Sequence, residues 1–397
     1  MFLGSGVSRE SGLPMADEVM KRILEDAYHR EENGRFRPGP AAREGSYGVD
    51  ELARIRGLIG LLLRYDEADR NGMALTRDGN RYVAHGATHR TATTYEDVFA
   101  LCKQIDDWMR GQSDNALTTP LLERLERSAG TIVSETDRLA RIWAIGQLAR
   151  PTKSFIEAVV AAALRATEPR GLDLLLELIA APEFSQVNIA TLNHDTLVEQ
   201  LLAGAGIRVV DGFGDADGDV RWYDDASYDV AEARVKLIKL HGSIDWYTFS
   251  RDGRESPAIL LRGDASTAVS GSGSTLKLFF SAPSFLTGGE KEAWYQHGIY
   301  ADLHFRFHEA LRRCDRMVTS GYGWGDTGIT NQILHWLDQR PRNRLFLLHP
   351  RPEEIRERSP FVDMSYDNLI ERKQLIPIRS WLCNTSLGAI RAALGMS

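Results

Sequence analysis

The 397-residue chain is poor in cysteine: Cys102, Cys314 and Cys383 lie far apart and form no Cys-x-x-Cys pair. No zinc ribbon and no disulfide framework can be read from such spacing, and a reducing cytoplasm suits it best. The chain also lacks any apolar run near the roughly 20 residues that a membrane span needs. It shows no charged segment leading into an apolar one at its start, so no secretion signal is expected. Positive charge is in deficit, with a formal net charge of −7. That balance argues against direct nucleic-acid binding through a broad electrostatic footprint, leaving only a local basic stretch from Arg340 to Arg344. What is present is ordinary for a folded globular chain, 43% hydrophobic and 26% charged residues. The length suits two or three domains, or one domain with a sizeable insertion.

Periodicity divides the chain. "MFLGSGVSRESGLP" puts three residues before a glycine-rich turn and then a helical pattern, a strand–turn–helix start with a clipped strand. From about Asp50 to Ala181 apolar residues recur at three-to-four spacing, as in "DELARIRGLIGLLLRYDEA" and "KSFIEAVVAAALRA". Residues 41–184 are therefore expected to be a helical insertion, and residues 1–40 with 185–397 the catalytic domain. In the latter, "QVNIATLNHD", "VKLIKLHGS", "DRMVTSGYGWGD", "NRLFLLHP" and "QLIPIRSW" are short strand-like runs ending in polar residues, with helical stretches between some of them. Strands alternating with helices predict an α/β fold, a Rossmann-like, mostly parallel sheet with helices on both faces. Ligands bind such sheets at the carboxyl ends of the strands. The acidic stretch "DGFGDADGDVRWYDDASYD" fails as a calcium loop, because Val220 stands where the required glycine belongs. "GDASTAVSGSGST" reads as a connector or a lid.

Three motifs carry candidate chemistry. Gly4 and Gly6 permit close backbone approach to a pyrophosphate, though "GSGVSR" lacks the third glycine of the dinucleotide fingerprint. Asn193 and Asp195 follow a strand and precede the helix "TLVEQLL", where Asp195 also suits an N-cap. His241 ends the strand "VKLIKL", and a histidine titrating near ~6.5 suits general-base work at neutral pH.

The ordered set "GSGVSRESGLP", "TLNHD", "LIKLHGSIDW" and "SGYGWGD" resembles the sirtuin-like superfamily, most of all its bacterial antiviral branch. The resemblance implies a fold that cleaves NAD+ to nicotinamide and ADP-ribose, with NAD+ as substrate. Carried over, Gly4, Ser5, Gly6 and Ser8 line its phosphates, and Asn193 and Asp195 face the nicotinamide ribose and carboxamide. His241 is the catalytic base. Gly321, Tyr322 and Asp326 close or brace the adenosine side, with His349 as a looser adenine-ribose contact. Sirtuin deacylases carry a four-cysteine zinc module that is missing from this sequence, so no zinc or other metal is expected and protein deacylation is the weaker alternative. A sensor that binds NAD or ADP-ribose without turnover is another. Further departures are Gly323 where serine is common, and Leu192 and His194 in place of the usual glutamine and isoleucine. Resemblance to standalone antiphage NADases implies depletion of NAD+ under restraint by a separate HerA-type ATPase, and a homo-oligomer is expected in which the helical block supplies much of the interface, because "IRGLIGLLL" is apolar on more than one face.

Overall fold

The structure is a computed structural model and describes residues 1–25, 29–30, 34–37, 46–70, 73–78, 81–86, 93–112, 116–130, 132–165, 168–229, 233–280, 282–288 and 291–393. In chain order, β1 (Phe2–Leu3) leads into a short 3-10 helix, Ser5–Ser11. Then follow α1 (Ala16–Leu24), β2 (His29–Arg30), β3 (Phe36–Arg37), α2 (Val49–Arg70), β4 (Met73–Asp78), β5 (Arg81–Gly86), α3 (Tyr95–Met109), α4 (Thr118–Glu126) and α5 (Arg138–Ala163). Next come α6 (Asp173–Ala180), β6 (Val187–Thr191), α7 (Leu197–Gly204), β7 (Val209–Val210), β8 (Phe213–Asp217), β9 (Val220–Tyr223) and β10 (Val235–Lys239). After these stand β11 (Trp246–Arg251), β12 (Arg254–Leu260), β13 (Lys277–Leu278), α8 (Lys291–Trp294), α9 (Gly298–Arg313), β14 (Arg316–Ser320) and α10 (Thr327–Gln339). The chain finishes with β15 (Arg344–Leu348), α11 (Glu354–Arg358), α12 (Pro360–Glu371), β16 (Leu375–Ile378) and α13 (Leu387–Ala393). Two compact units result: Met1–Met15 with Leu164–Leu286 and Glu292–Ser397, and Ala16–Ala163 with Thr287–Lys291.

The first unit is built on a seven-stranded sheet in the order β16-β15-β14-β1-β6-β10-β7, and every pairing in it is parallel. Side chains alternate across a strand, so each strand feeds two cores. Phe2, Ala190, Ile238, Met317, Leu345 and Leu347 enter one core with Phe307 of α9, Trp336 of α10 and Tyr366 of α12. Leu3, Ile189, Leu237 and Leu348 enter the other with Leu178 of α6, Leu202 of α7 and Ile390 of α13. Both faces are covered, which explains why these strands are apolar along their length. The α/β Rossmann-like expectation holds.

A second sheet was not anticipated. β13, β11, β12, β9 and β8 form a five-stranded antiparallel sheet with its own small core around Tyr247, Phe249 and Val220. Its polar members hid it. The acidic stretch is the β8–β9 hairpin, and its carboxylates hold the serine-rich loop: Asp217 accepts the N–H of Gly271 at 2.7 Å and Asp219 that of Val269 at 3.0 Å. That loop is a tethered connector.

In the second unit, α3 starts with a capping box in which Asp97 accepts the N–H of Thr94 at 2.7 Å. Leu52, Ile55, Leu58, Ile59, Leu61 and Leu62 of α2 are all buried within the chain. A helix apolar nearly all round thus finds its cover in the core of its own unit. Among the described residues no helix is long and apolar enough to cross a membrane.

Candidate active site

Register places the predicted residues on one edge of the parallel sheet. Leu3 pairs with both Thr191 and Ser320, Thr191 with Lys239, and Ser320 with Leu348. Gly4, Leu192, Leu240, Gly321 and His349 therefore follow directly on five adjacent strands, at their carboxyl ends. Cavities of about 130 and 350 Å³ open elsewhere, where β6 and β14 begin, lined among others by Val187 and Arg316 in the first and by Lys236 and Arg306 in the second. Neither touches the carboxyl-end cluster.

The glycines hold the strand-end loops together. A Cβ on Gly4 would stand 2.5 Å from both the oxygen of Gly321 and the Cα of Tyr322, and one on Gly6 2.8 Å from the Cα of Gly321. Gly321 itself has a φ of 66°, the left-handed region. The N–H of Gly4 donates to Ser320 O and that of Gly6 to Gly321 O, both at 3.0 Å. These two amides are committed to the loop contact. Ser5, at the start of the 3-10 helix, is exposed.

Two polar networks sit on this frame. In the first, the Nδ2 amide of Asn193 donates to Gly4 O at 3.2 Å and to Ser8 Oγ at 3.0 Å. Ser8 Oγ donates to Asp195 Oδ2 at 2.7 Å, while Asp195 Oδ1 accepts the N–H of Leu197, the first residue of α7, at 3.1 Å; the N-cap itself is Thr196. The Oδ1 of Asn193 is buried and has no hydrogen-bond partner. An orphaned acceptor of this kind costs about 1–3 kcal/mol unless something donates to it.

The second network surrounds His241, which is only 3% exposed. Its Nε2 lies 3.0 Å from the hydroxyl of Tyr295 and 3.2 Å from Asp326 Oδ2. Tyr295 donates its hydroxyl to the same Asp326 oxygen at 2.6 Å. Burial acts to raise the Asp326 carboxyl, but the hydrogen bond and charge of His241 and the Tyr295 hydroxyl outweigh it and hold the group below the usual carboxylate range. Burial, then Asp326, push the Tyr295 phenol well above its ordinary value. The ring of His304 stacks on Tyr295 with centroids 3.8 Å apart. Burial, followed by the neighbouring charge of His241, lowers His304 to about 4.

The two networks meet through the loops after β6 and β10. His194 O accepts the N–H of Ile244 at 2.9 Å and the hydroxyl of Ser243 at 3.1 Å, and the His194 ring stacks 6.2 Å from that of His241. Gly242, with a φ of 76°, makes the turn; a Cβ there would lie 2.4 Å from Ser284 O, so the space beside it is filled by backbone. Tyr322 donates to Asp326 O at 3.0 Å. His349 stands apart from both networks, tilted against Trp381 with ring centroids 5.6 Å apart and its Nδ1 3.1 Å from the N–H nitrogen of Arg351. Sequence reasoning missed Tyr295 and His304. Tyr295 follows the short α8 in "KEAWYQHG", which carries no motif, and His304 lies within the amphipathic pattern of α9.

Residues 187–375 match the SIR2-like domain. The SIR2-like segment runs from the first residue of β6 to the first of β16 and contains Asn193, Asp195, His241, Tyr295 and Asp326. Solved structures similar to the chain include SIR2 in complex with the inhibitor EX-527, 2'-O-acetyl-ADP-ribose and deacetylated p53 peptide. It is 14% identical, covering 59% of this chain and 75% of that one at a TM-score of 0.32. A second, from work on the structural basis for sirtuin substrate affinity, is 13% identical over 59% and 75% at a TM-score of 0.31. No curated protein matches the sequence. Among the described residues no group of three or more His, Cys, Asp or Glu could hold a metal.

Proposed function

We propose that the protein is an NAD+ glycohydrolase that cleaves NAD+ to nicotinamide and ADP-ribose. The observation that carries this reading is Asn193. Its amide nitrogen is pinned by Gly4 and Ser8, which aims a buried, unpartnered Oδ1 from the strand end beside the one that bears His241. A ribose hydroxyl or a water is the donor that such an oxygen fits.

In the reaction the bond between ribose C1′ and the nicotinamide nitrogen breaks, its electron pair leaving with nicotinamide. A water oxygen bonds to C1′ and its proton passes to His241. Asn193 orients the water or the ribose hydroxyls as positive charge develops on the sugar, an interaction stronger in the transition state than before it. Ser8 and Asp195 act through Asn193, by fixing its amide. His241 and Asn193 are both buried, so the reaction proceeds away from bulk water. A role in antiphage defence and restraint by a HerA-type ATPase belong to the same proposal and rest on motif resemblance alone; assembly into a homo-oligomer belongs to it as well.

Product analysis of NAD+ incubated with the purified chain is the test. Nicotinamide and ADP-ribose without any acyl-lysine present support the proposal. Binding without cleavage makes the protein a sensor, and cleavage only with acyl-lysine makes it a deacylase.

A further inference from the structure

The motif resemblance assigns Asp326 to the adenosine side of the nucleotide, yet its surroundings point to a different task. The two carboxylate oxygens face different partners. Oδ1 accepts the N–H of Ile329 at 3.0 Å and caps α10. Oδ2 accepts the hydroxyl of Tyr295 at 2.6 Å and lies 3.2 Å from His241 Nε2. The carboxyl is held ionised by these contacts despite its burial.

An ionised carboxylate only accepts hydrogen bonds. Tyr295 has one proton, and it points at Oδ2. The phenolic oxygen is therefore left as an acceptor toward His241, 3.0 Å from Nε2. Both polar neighbours of Nε2 are acceptors, so Nε2 carries a proton. We infer that Asp326 is the positioning residue of this site: it fixes the ring of His241 with the proton on Nε2 and stabilises the charged imidazolium, Tyr295 serving as second acceptor.

The titratable groups against His241 besides Asp326 are His194, stacked 6.2 Å away, and Tyr295, stacked at 5.9 Å, with His304 behind Tyr295; the Glu292 carboxylate acts on the Tyr295 side. Tyr322 faces the backbone oxygen of Asp326. The carboxylate within ion-pair distance of His241 Nε2 is that of Asp326, which supplies the negative charge there. The inference rests on the proposed role of His241 as base and gives it a partner.

Asp326→Asn separates the two tasks of the residue, because asparagine caps a helix about as well as aspartate but carries no charge. The probe is the full chain with 15N-labelled histidine, followed by long-range 1H–15N spectra across pH, with His241 assigned by its absence in His241→Gln. Wild type is expected to show the proton on Nε2. In Asp326→Asn the His241 midpoint should fall by about one pH unit or more, since losing an anion within 4 Å disfavours the cation by that much. The acid limb of kcat/KM for NAD+ cleavage moves to lower pH with it, a change that loss of a cap would not produce. Asp326→Ser, another cap-forming variant, should behave alike and serves if the asparagine variant does not fold. An unchanged midpoint in a folded variant overturns the pairing. Titration as expected in a wild-type chain that cleaves no NAD+ sinks the hydrolase proposal instead and leaves the pairing in place.

Discussion

His241 and Asn193 make the most exacting demands at the residue scale. His241→Ala should lower NAD+ cleavage by a factor of about 10² to 10⁴, the usual worth of a general base. Its melting temperature should stay near that of wild type, since the ring lies at a strand end and not in either sheet core. Wild-type turnover would remove it from the mechanism. Asn193→Ala should lose kcat with little change in NAD+ affinity, because its orphaned oxygen acts mainly as charge develops. Lost affinity with turnover retained would make Asn193 a binding residue. His304 makes a separate demand on pH. Burial depresses it from 6.5 to about 4, so between those values the unfolded chain binds the extra proton. Its neutral form therefore contributes stability above pH 6.5 that is lost as pH falls toward 4. Denaturant unfolding at pH 5 should give a stability about 2 kcal/mol lower than at pH 7 from this residue. His304→Phe, which keeps the ring stack on Tyr295, should flatten that part of the slope; an unaltered slope would dismiss His304 as its source.

At the scale of elements, the interlocked loops after β1 and β14 leave no room for a methyl group. Gly4→Ala would bring Cβ within 2.5 Å of two backbone atoms that cannot rotate away, at a cost of about 1–3 kcal/mol. Gly325→Ala, in the loop after β14 but with nothing within 4 Å of its Cβ, should change stability by less than about 0.5 kcal/mol. Equal urea midpoints for the two variants would mean that the loops move apart freely. The parallel strands were legible because each is a short apolar run stopped by a polar residue, and the stops are the site itself. The antiparallel sheet was not, because its strands are half polar and β8–β9 resembles a solvated loop. One signal was available: Asp252 and Gly253 between β11 and β12 have φ of 52° and 74°, as a two-residue hairpin turn demands, and Asp-Gly is one of its favoured sequences. Motif order was enough to select Asn193 and His241. Tyr295 was invisible, since only the fold brings a residue from a motif-free turn to within 3.0 Å of His241.

At the scale of the whole molecule, assembly is open to a direct test. Leu117, Leu139 and Trp143 expose 75%, 74% and 60% of their surface in the helical unit, whereas the apolar residues of α2 are already covered. A homo-oligomer is expected, and light scattering at micromolar concentration should show it. A mass matching one 44.4 kDa chain would refute it. Trp143→Glu is expected to shift the mass downward if this helix contributes to the contact. The position of β1 bears on something else, the order of events during synthesis. It is the middle strand of its sheet, yet its neighbours β6 and β14 begin at Val187 and Arg316. At about 5–20 residues per second, a nascent chain exposes β1 for roughly 10–40 seconds before β6 emerges, and longer before β14 does. The helical unit lies almost wholly in the sequence between β1 and β6 and has that interval in which to fold. The carboxyl-end edge of the sheet closes last, when β1 is clasped between two strands made much later.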